Sequence, residues 1–398
     1  MLTRLYATNY RCLVNFEFEP SAKQLIIGRN GTGKSTVFDV LAMLRDFAVR
    51  GKSVEECLGG NTLTRWQDVA EQQFEIDVEG NGGKYRYTLV VDDWAESVYA
   101  LSPSKPTRMV PLSSLLSAPG GLPRPRVKQE TLDFNGKPLF RFEEGTVSQF
   151  DDRQGSAPAY EYPLDWHRSG LAVVEAEATR RDNAKLTWFK LWLNRLAQVQ
   201  INPWAMAARS ERESRYPARN LSNFADWYRH LLLESGSAIF EAIASLREAI
   251  PGLESLDAKE AGLDVRVLQA AMRGPNGKTL GLPFSELSEG QRVLIALYVL
   301  LYCAVGEGRT LLIDEPDNFI ALAEIQPWLL KLLDRVDEKN AQVILVSHHP
   351  ELVDQLADQG GVVFERVNGG ETRVKPFEPS GDGGLKASEI IARGWESA

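Results

Sequence analysis

The stretch QLIIGRNGTGKST, Gln24 to Thr36, constrains this chain more than any other. An apolar run that reads as a strand leads into Gly28-x4-Gly33-Lys34-Ser35, and the helical pattern STVFDVLAMLRDFAV follows at once. That order is a P-loop in its strand, loop and helix context. Glycine at Gly28, Gly31 and Gly33 lets the backbone curl, so that its N–H groups, with those of Asn30 and Thr32, face a phosphate. The helix start at Ser35 and Thr36 adds a favourable dipole. The motif predicts Lys34 on the β- and γ-phosphates of ATP and the Ser35 hydroxyl on Mg²⁺.

Composition narrows what surrounds that site. The 398 residues are 43% apolar and 25% charged, enough to bury one large core or two to three smaller ones. A formal charge of -9 supplies no overall attraction to nucleic acid or to an anionic membrane, so nucleic-acid contact would need a local basic patch. Cys12, Cys57 and Cys303 are far apart and form no CxxC spacing, which predicts a reducing cytoplasm and neither a disulfide framework nor a zinc site. The opening MLTRLYATNYRCLVNFEFEP has no continuous apolar stretch, and no run approaches eighteen apolar residues; the expectation is a protein neither secreted nor membrane-spanning.

Downstream, RTLLIDEPD reads as a short buried strand ending in two carboxylates, the form of a Walker B segment. Asp314 is expected at the Mg²⁺, and Glu315 as general base to the attacking water. Between the two motifs, SELSEGQRVLIALYVLLYCAV opens a long apolar helix for which Ser288 serves as N-cap. The residues Leu287-Ser288-Glu289-Gly290-Gln291 also resemble the signature motif of ABC-type ATPases. The resemblance implies that Ser288 and Gly290 grip the γ-phosphate bound to a second subunit. In that family a strand following Walker B ends in a histidine that touches the γ-phosphate, and VILVSHH occupies its place. Of the four histidines in the chain, His348 matches the family position and His349 falls one beyond it.

The beginning LTRLYATNYRCLVNFEFEP resembles the opening of SMC, RecF and OLD-type ATPases, in some of which the residue matching Arg11 approaches the nucleotide. The likeness covers roughly residues 1–95 and 250–365. It implies an α/β fold, an ABC-type P-loop NTPase head with a mixed β-sheet, divided as an N-terminal ATPase lobe 1–95, an insertion 96–250 and a C-terminal lobe 251–398. Lys34 and Ser288 are about 250 positions apart, farther than in transporter ATPases, which argues against a transporter engine. The segment between shows no sustained heptads, unlike the coiled-coil arm of SMC proteins.

Instead, FEIDVEGNGGKYRYTLVVDD predicts a hairpin turning at Asn81-Gly82, followed by a Pro, Ser and Gly-rich loop at 102–125 and two further strand-like stretches. Helical spacing returns in NAKLTWFKLWLNRLAQV, SNFADWYRHLLLES and GSAIFEAIASLREAI. There Trp188, Trp192, Trp204 and Trp227 interleave with Arg180, Arg181, Lys190, Arg195, Arg209, Arg212, Arg215 and Arg219, a pattern open to core packing, nucleic-acid contact or a protein partner. Acidic Asp182, Glu211 and Glu213 dilute the basic run. The Mg²⁺-sensing glutamine of ABC proteins has candidates at Gln67, Gln73, Gln129 and Gln200, and Asp317 with Asn318 match the D-loop.

About fifty residues follow His349, without the dense carboxylate cluster of a Toprim-type nuclease. The expectation is an ATPase forming a head-to-tail homodimer or higher homo-oligomer on ATP and acting as a switch for a separate effector, a nuclease or toxin, in anti-phage defence. That role rests on analogy. The alternative is a RecF- or SMC-like ATPase of DNA repair or maintenance.

Overall fold

The computed structural model describes residues 1–59, 62–67, 69–93, 125–152, 157–174, 183–378 and 385–393. Arg180, Arg181, Asp182 and the expected loop at 102–125, its last residue excepted, lie outside them.

A six-stranded sheet carries the motifs. Its order is β10 (Ala197–Val199), β15 (Thr310–Asp314), β16 (Gln342–Val346), β3 (Lys23–Ile27), β17 (Gly361–Arg366) and β18 (Thr372–Pro376). All neighbours are parallel except the last pair. β15 and β16 are buried along their whole length, because both faces of the sheet are covered. Leu311, Ile313, Val343, Leu345, Leu25 and Ile27 enter one core; Leu312, Ile344, Val346 and Ile26 enter the other. The strand period of two therefore deals alternate residues to two different cores.

On the first side lie the helices Glu289–Cys303, Leu322–Glu338 and Pro350–Gly360. Val293 to Leu301 are buried without a break, as an apolar sequence of that length requires. On the second side, the helix Lys34–Ala48 is packed beneath an antiparallel sheet of eight strands. That sheet runs β2 (Phe16–Phe18), β1 (Leu2–Thr8), β4 (Glu71–Gly80), β5 (Gly83–Asp93), β6 (Pro125–Phe134), β7 (Lys137–Glu143), β8 (Thr146–Gln149) and β9 (Tyr160–Pro163), taking strands from both sides of residue 95. The hairpin turn falls at Asn81 and Gly82, with φ of 51° and 77°, the left-handed pair a two-residue turn needs. Gln342 joins the two sheets: its side chain bonds both backbone groups of Leu2, at 2.9 and 2.8 Å.

A small third sheet places β13 (Val265–Arg273) between β12 (Leu253–Gly262) on one edge and β11 (Arg209–Ser210) with β14 (Thr279–Pro283) on the other. The expected helices form at Ala184–Arg195, Phe224–Glu234 and Gly236–Ala249. They are built into the head. Trp188 stacks on Tyr85 at 5.0 Å, Phe224 stacks on Phe284 at 5.3 Å, and Trp192 and Trp227 are buried. Three of the four tryptophans of the basic stretch are thus committed to packing, and Trp204 alone of them is well exposed. Lys190 is buried as well, donating to the carbonyls of Leu171 and Val174, and burial lowers its pKa to about 8.

Candidate functional site

The carboxyl ends of the parallel strands form one edge, and the sequence motifs leave the sheet there. Val346 pairs with Asp314 on one side and with Ile26 on the other, so β16 brings Ser347 and His348 out between the P-loop and the DE pair. Ser35 Oγ donates to Asp314 Oδ2 at 2.8 Å. Burial, with the neighbouring Glu315 charge, raises the Asp314 pKa against the opposing hydrogen bond from Ser35 and the charges of Arg219 and Lys34.

The P-loop is held by close packing. A Cβ on Gly28, at φ +144°, would lie 2.2 Å from the Phe364 carbonyl oxygen; one on Gly33, at φ +97°, would lie 2.7 Å from Thr372 Oγ1 and 2.9 Å from Cys12 Sγ. Thr372 Oγ1 also donates to the Thr32 carbonyl at 2.9 Å, and Thr32 Oγ1 to the Arg29 carbonyl at 2.8 Å. Gly31, by contrast, faces open space. Lys34 Nζ donates to the carbonyls of Gly28 and Arg29, and burial lowers its pKa although Asp314 and Glu315 oppose the shift. Asn30 is exposed beside Gly31, and Thr36 Oγ1 lies 3.8 Å from Cys12 Sγ. A cavity of about 550 Å³ runs along the outside of the loop, where Arg366 reaches over the Trp66 ring at 4.9 Å and donates to the Gly31 carbonyl at 3.0 Å.

Glu315 sits at φ +52°, a left-handed conformation costly for a residue with a side chain. Its N–H is held by the Val346 carbonyl at 2.8 Å, and Asn318 Nδ2 donates to its Oε2 at 2.7 Å. Asp317 accepts from Ser347 Oγ at 2.6 Å. The two histidines differ in setting: His348 is exposed at the strand end, whereas His349 is the half-buried N-cap of the helix Pro350–Gly360, its Nδ1 accepting from the Glu351 N–H at 3.3 Å.

Two residues reach the site from the middle of the chain, where sequence reasoning left them unresolved. Val199 pairs with Ile313, so Gln200 leaves β10 level with Asp314; Gln73 and Gln129 instead bond Glu75 and Glu143 on the antiparallel sheet. Arg219 accepts the Gln200 N–H on its carbonyl at 2.7 Å and ion-pairs with Asp39 on the P-loop helix. Arg11, at φ +51°, grips the other oxygen of Asp39 and covers Tyr10 at 5.1 Å. Only strand pairing, invisible in a linear basic run, brings Gln200 and Arg219 here.

Ser288 and Gly290 lie elsewhere. Ser288 Oγ accepts from the Gln291 N–H at 3.3 Å while Gln291 Oε1 accepts from the Ser288 N–H at 3.1 Å, a reciprocal cap. A Cβ on Gly290 would come within 2.8 Å of the Phe319 carbonyl oxygen. Phe319 meets Trp204 edge-on at 4.8 Å, and both are exposed, as is Leu322. Among the described residues no hydrogen bond joins Ser288 or Gly290 to residues 28–36.

A family described as "AAA domain, putative AbiEii toxin, Type IV TA system" matches residues 25–354, a span holding the P-loop, the signature, the DE pair and both histidines. The chain belongs to that family. The solved SmcHead bound to the C-winged helix domain of ScpA has the same fold, with a TM-score of 0.51 at 12% identity over 95% of this chain and 98% of that one. The SMC head domain from Thermotoga maritima matches at a TM-score of 0.44 and 14% identity, over 95% and 99%. The ABC transporter ATP-binding protein ARB1 of Saccharomyces cerevisiae is 31% identical over 99 residues, 25% of this chain; the match spans 15% of that relative's length. Among the described residues of this AAA-family chain, no helix is long and apolar enough to cross a membrane.

Proposed function

We propose that the chain binds and hydrolyses ATP, and that two copies close head to tail around the nucleotide. The convergence of Ser35 and Asp314 beneath an open glycine cradle carries this reading. A hydroxyl and a carboxylate side by side fit a divalent cation, and Gly31 leaves room above the loop for phosphate oxygens. Lys34 exchanges its loop carbonyls for the β- and γ-phosphates, with the amides of residues 28 to 36 around them. Mg²⁺, when bound by Ser35 and Asp314, supplies neutralisation of charge on the phosphate oxygens. Glu315, aimed by Asn318, takes a proton from the water whose oxygen attacks the γ-phosphorus as the bond to the leaving β-phosphate oxygen breaks, giving ADP and phosphate. His348 donates to the γ-phosphate, Arg11 approaches the nucleotide, and Gln200 is the Mg²⁺-sensing glutamine.

Ser288 and Gly290 complete the site of the second copy, their helix start capturing the γ-phosphate. Exposed Trp204, Phe319 and Leu322, at 69%, 42% and 53%, support a protein-binding face beside the signature. The γ-phosphate is then the joint of the dimer, and hydrolysis releases it. A separate effector reads that change as a switch. The family's own description, with its toxin and toxin-antitoxin terms, supports a toxin among the effectors; a nuclease as the alternative effector and anti-phage defence in the cytoplasm as the setting rest on analogy. The solved SMC head bound to a ScpA domain lends support to a head that works with a partner protein.

Mixing Lys34→Ala with Ser288→Arg, each inactive alone, tests the composite site. One of the two sites in a mixed dimer is intact, so turnover should rise above either parent; no rise, together with a monomeric mass in ATP, contradicts the sandwich. Capture of partners from the native host on Glu315→Gln with ATP tests the switch. Recovery of a nuclease or toxin subunit is expected, and recovery of DNA alone favours the repair reading.

A further inference from the structure

A second cavity, of about 170 Å³, lies where the P-loop helix ends and β15 begins. Five arginines line it: Arg45, Arg50, Arg195, Arg215 and Arg309. Arg45 and Arg309 form the half-buried floor, tied to the carbonyls of Leu196 at 2.9 Å and Cys303 at 3.1 Å. Arg50 and Arg215 lie over the Tyr216 ring, at 5.9 and 5.7 Å. Asp46 takes Arg45 at 3.4 Å and Arg50 at 3.0 Å, and shares itself with Lys52. His230 on the wall is engaged by Glu213 at 3.3 Å. Arg195 and Arg215 have no ion pair among the described residues. In a chain of net charge -9, this concentration of guanidinium groups is local. Like charges gathered in a concave, partly dry site repel one another unless an anion joins them.

We infer that this cavity binds a compact, multiply charged phosphate anion of pyrophosphate to tripolyphosphate size, apart from the P-loop. Its volume falls below the ~300–1,000 Å³ of pockets that enclose drug-sized ligands, so it suits the phosphate groups themselves rather than a whole nucleotide. Arginine forks bind phosphate oxygens in pairs, and a ring of them selects for several charges close together. Arg309 directly precedes β15, whose far end is Asp314, and Arg45 lies on the helix that starts at Lys34; the cavity therefore sits at the opposite ends of the two elements that meet in the nucleotide site.

Calorimetric titration of the full chain with inorganic tripolyphosphate tests this, using Lys34→Ala so that the P-loop does not compete. One site is expected, weakening as salt rises. Adding Arg195→Gln and Arg215→Gln, both at the exposed rim, should weaken binding about tenfold or more, while Arg209→Gln, an arginine outside the cavity, leaves it unchanged. Circular dichroism confirms that the variants are folded. Absence of binding, an equal affinity in the rim variant, or an equal loss in Arg209→Gln overturns the assignment. Displacement of the bound anion by ATP supports a nucleotide-borne phosphate as its source, and resistance to ATP supports a free polyphosphate.

Discussion

Ser35 Oγ and Asp314 Oδ2 stand 2.8 Å apart although 279 positions separate them in the chain. The contact exists because β3 and β15 flank β16 in one parallel sheet and end at the same edge. A phosphate loop and a carboxylate that lie far apart in sequence are thereby made neighbours.

Lys34→Ala should abolish ATP binding, whereas Glu315→Gln should keep binding and lose turnover. The first removes the cation that the loop holds beside Gly28 and Arg29; the second keeps the shape and the Asn318 contact but removes the base. Equilibrium binding of a fluorescent ATP analogue separates them. Equal loss of binding in both would take Glu315 out of the role of base.

Asp314→Asn should stabilise the nucleotide-free protein at neutral pH. Burial raises the folded-state pKa of Asp314 above its ordinary value near 3.8, so the folded state binds a proton more readily than the unfolded chain. The ionised carboxylate therefore costs stability above that window, and the cost disappears as pH falls below the unfolded value. Asparagine escapes it at neutral pH but should lose the extra stability that Mg²⁺ and ATP confer on the wild type. Thermal unfolding with and without Mg²⁺ and ATP checks both signs.

The histidine pair should divide activity from stability. His348→Ala is expected to lower hydrolysis by roughly 10²–10³, the usual effect of removing one donor to developing charge, with little change in unfolding free energy. His349→Ala should cost ~0.5–2 kcal/mol by loss of the cap on Glu351, with a much smaller effect on rate. Steady-state rates and urea unfolding of the two variants decide it; a larger loss of rate in His349→Ala would shift the assignment by one residue.

Gly28→Ala and Gly31→Ala should differ sharply despite their neighbouring places in the loop. Both have positive φ, a strain of ~1–3 kcal/mol for alanine, but only at Gly28 does the new Cβ also meet a backbone oxygen, 2.2 Å away on Phe364. Gly28→Ala should be much the less stable in urea. Equal stabilities would mean that β17 does not support the loop as described.

Much of this was legible in the sequence because the motifs are local. The P-loop, the DE pair and the Ser288 cap each depend on residues within a few positions of one another, and hydrophobic runs such as VILVS mark strands covered on both faces. What stayed illegible depends on pairing. The register of β10 on β15 sets Gln200 level with Asp314, and the fold sets Arg219 beside Asp39 and Asp314, neither of which a linear basic run shows. Trp188, Trp192 and Trp227 illustrate the converse: an aromatic and basic stretch that resembles a nucleic-acid surface spends most of its rings on the core. The cap formed by His349 depends on where the following helix starts, which the pair of histidines does not by itself reveal.

The most direct measurement is the mass of Glu315→Gln in solution by light scattering, with and without ATP and Mg²⁺, across protein concentrations. The composite-site account predicts a monomer without nucleotide and a doubled mass with it, the doubling lost when Ser288→Arg is added. A chain that binds ATP and stays monomeric at every concentration would contradict it.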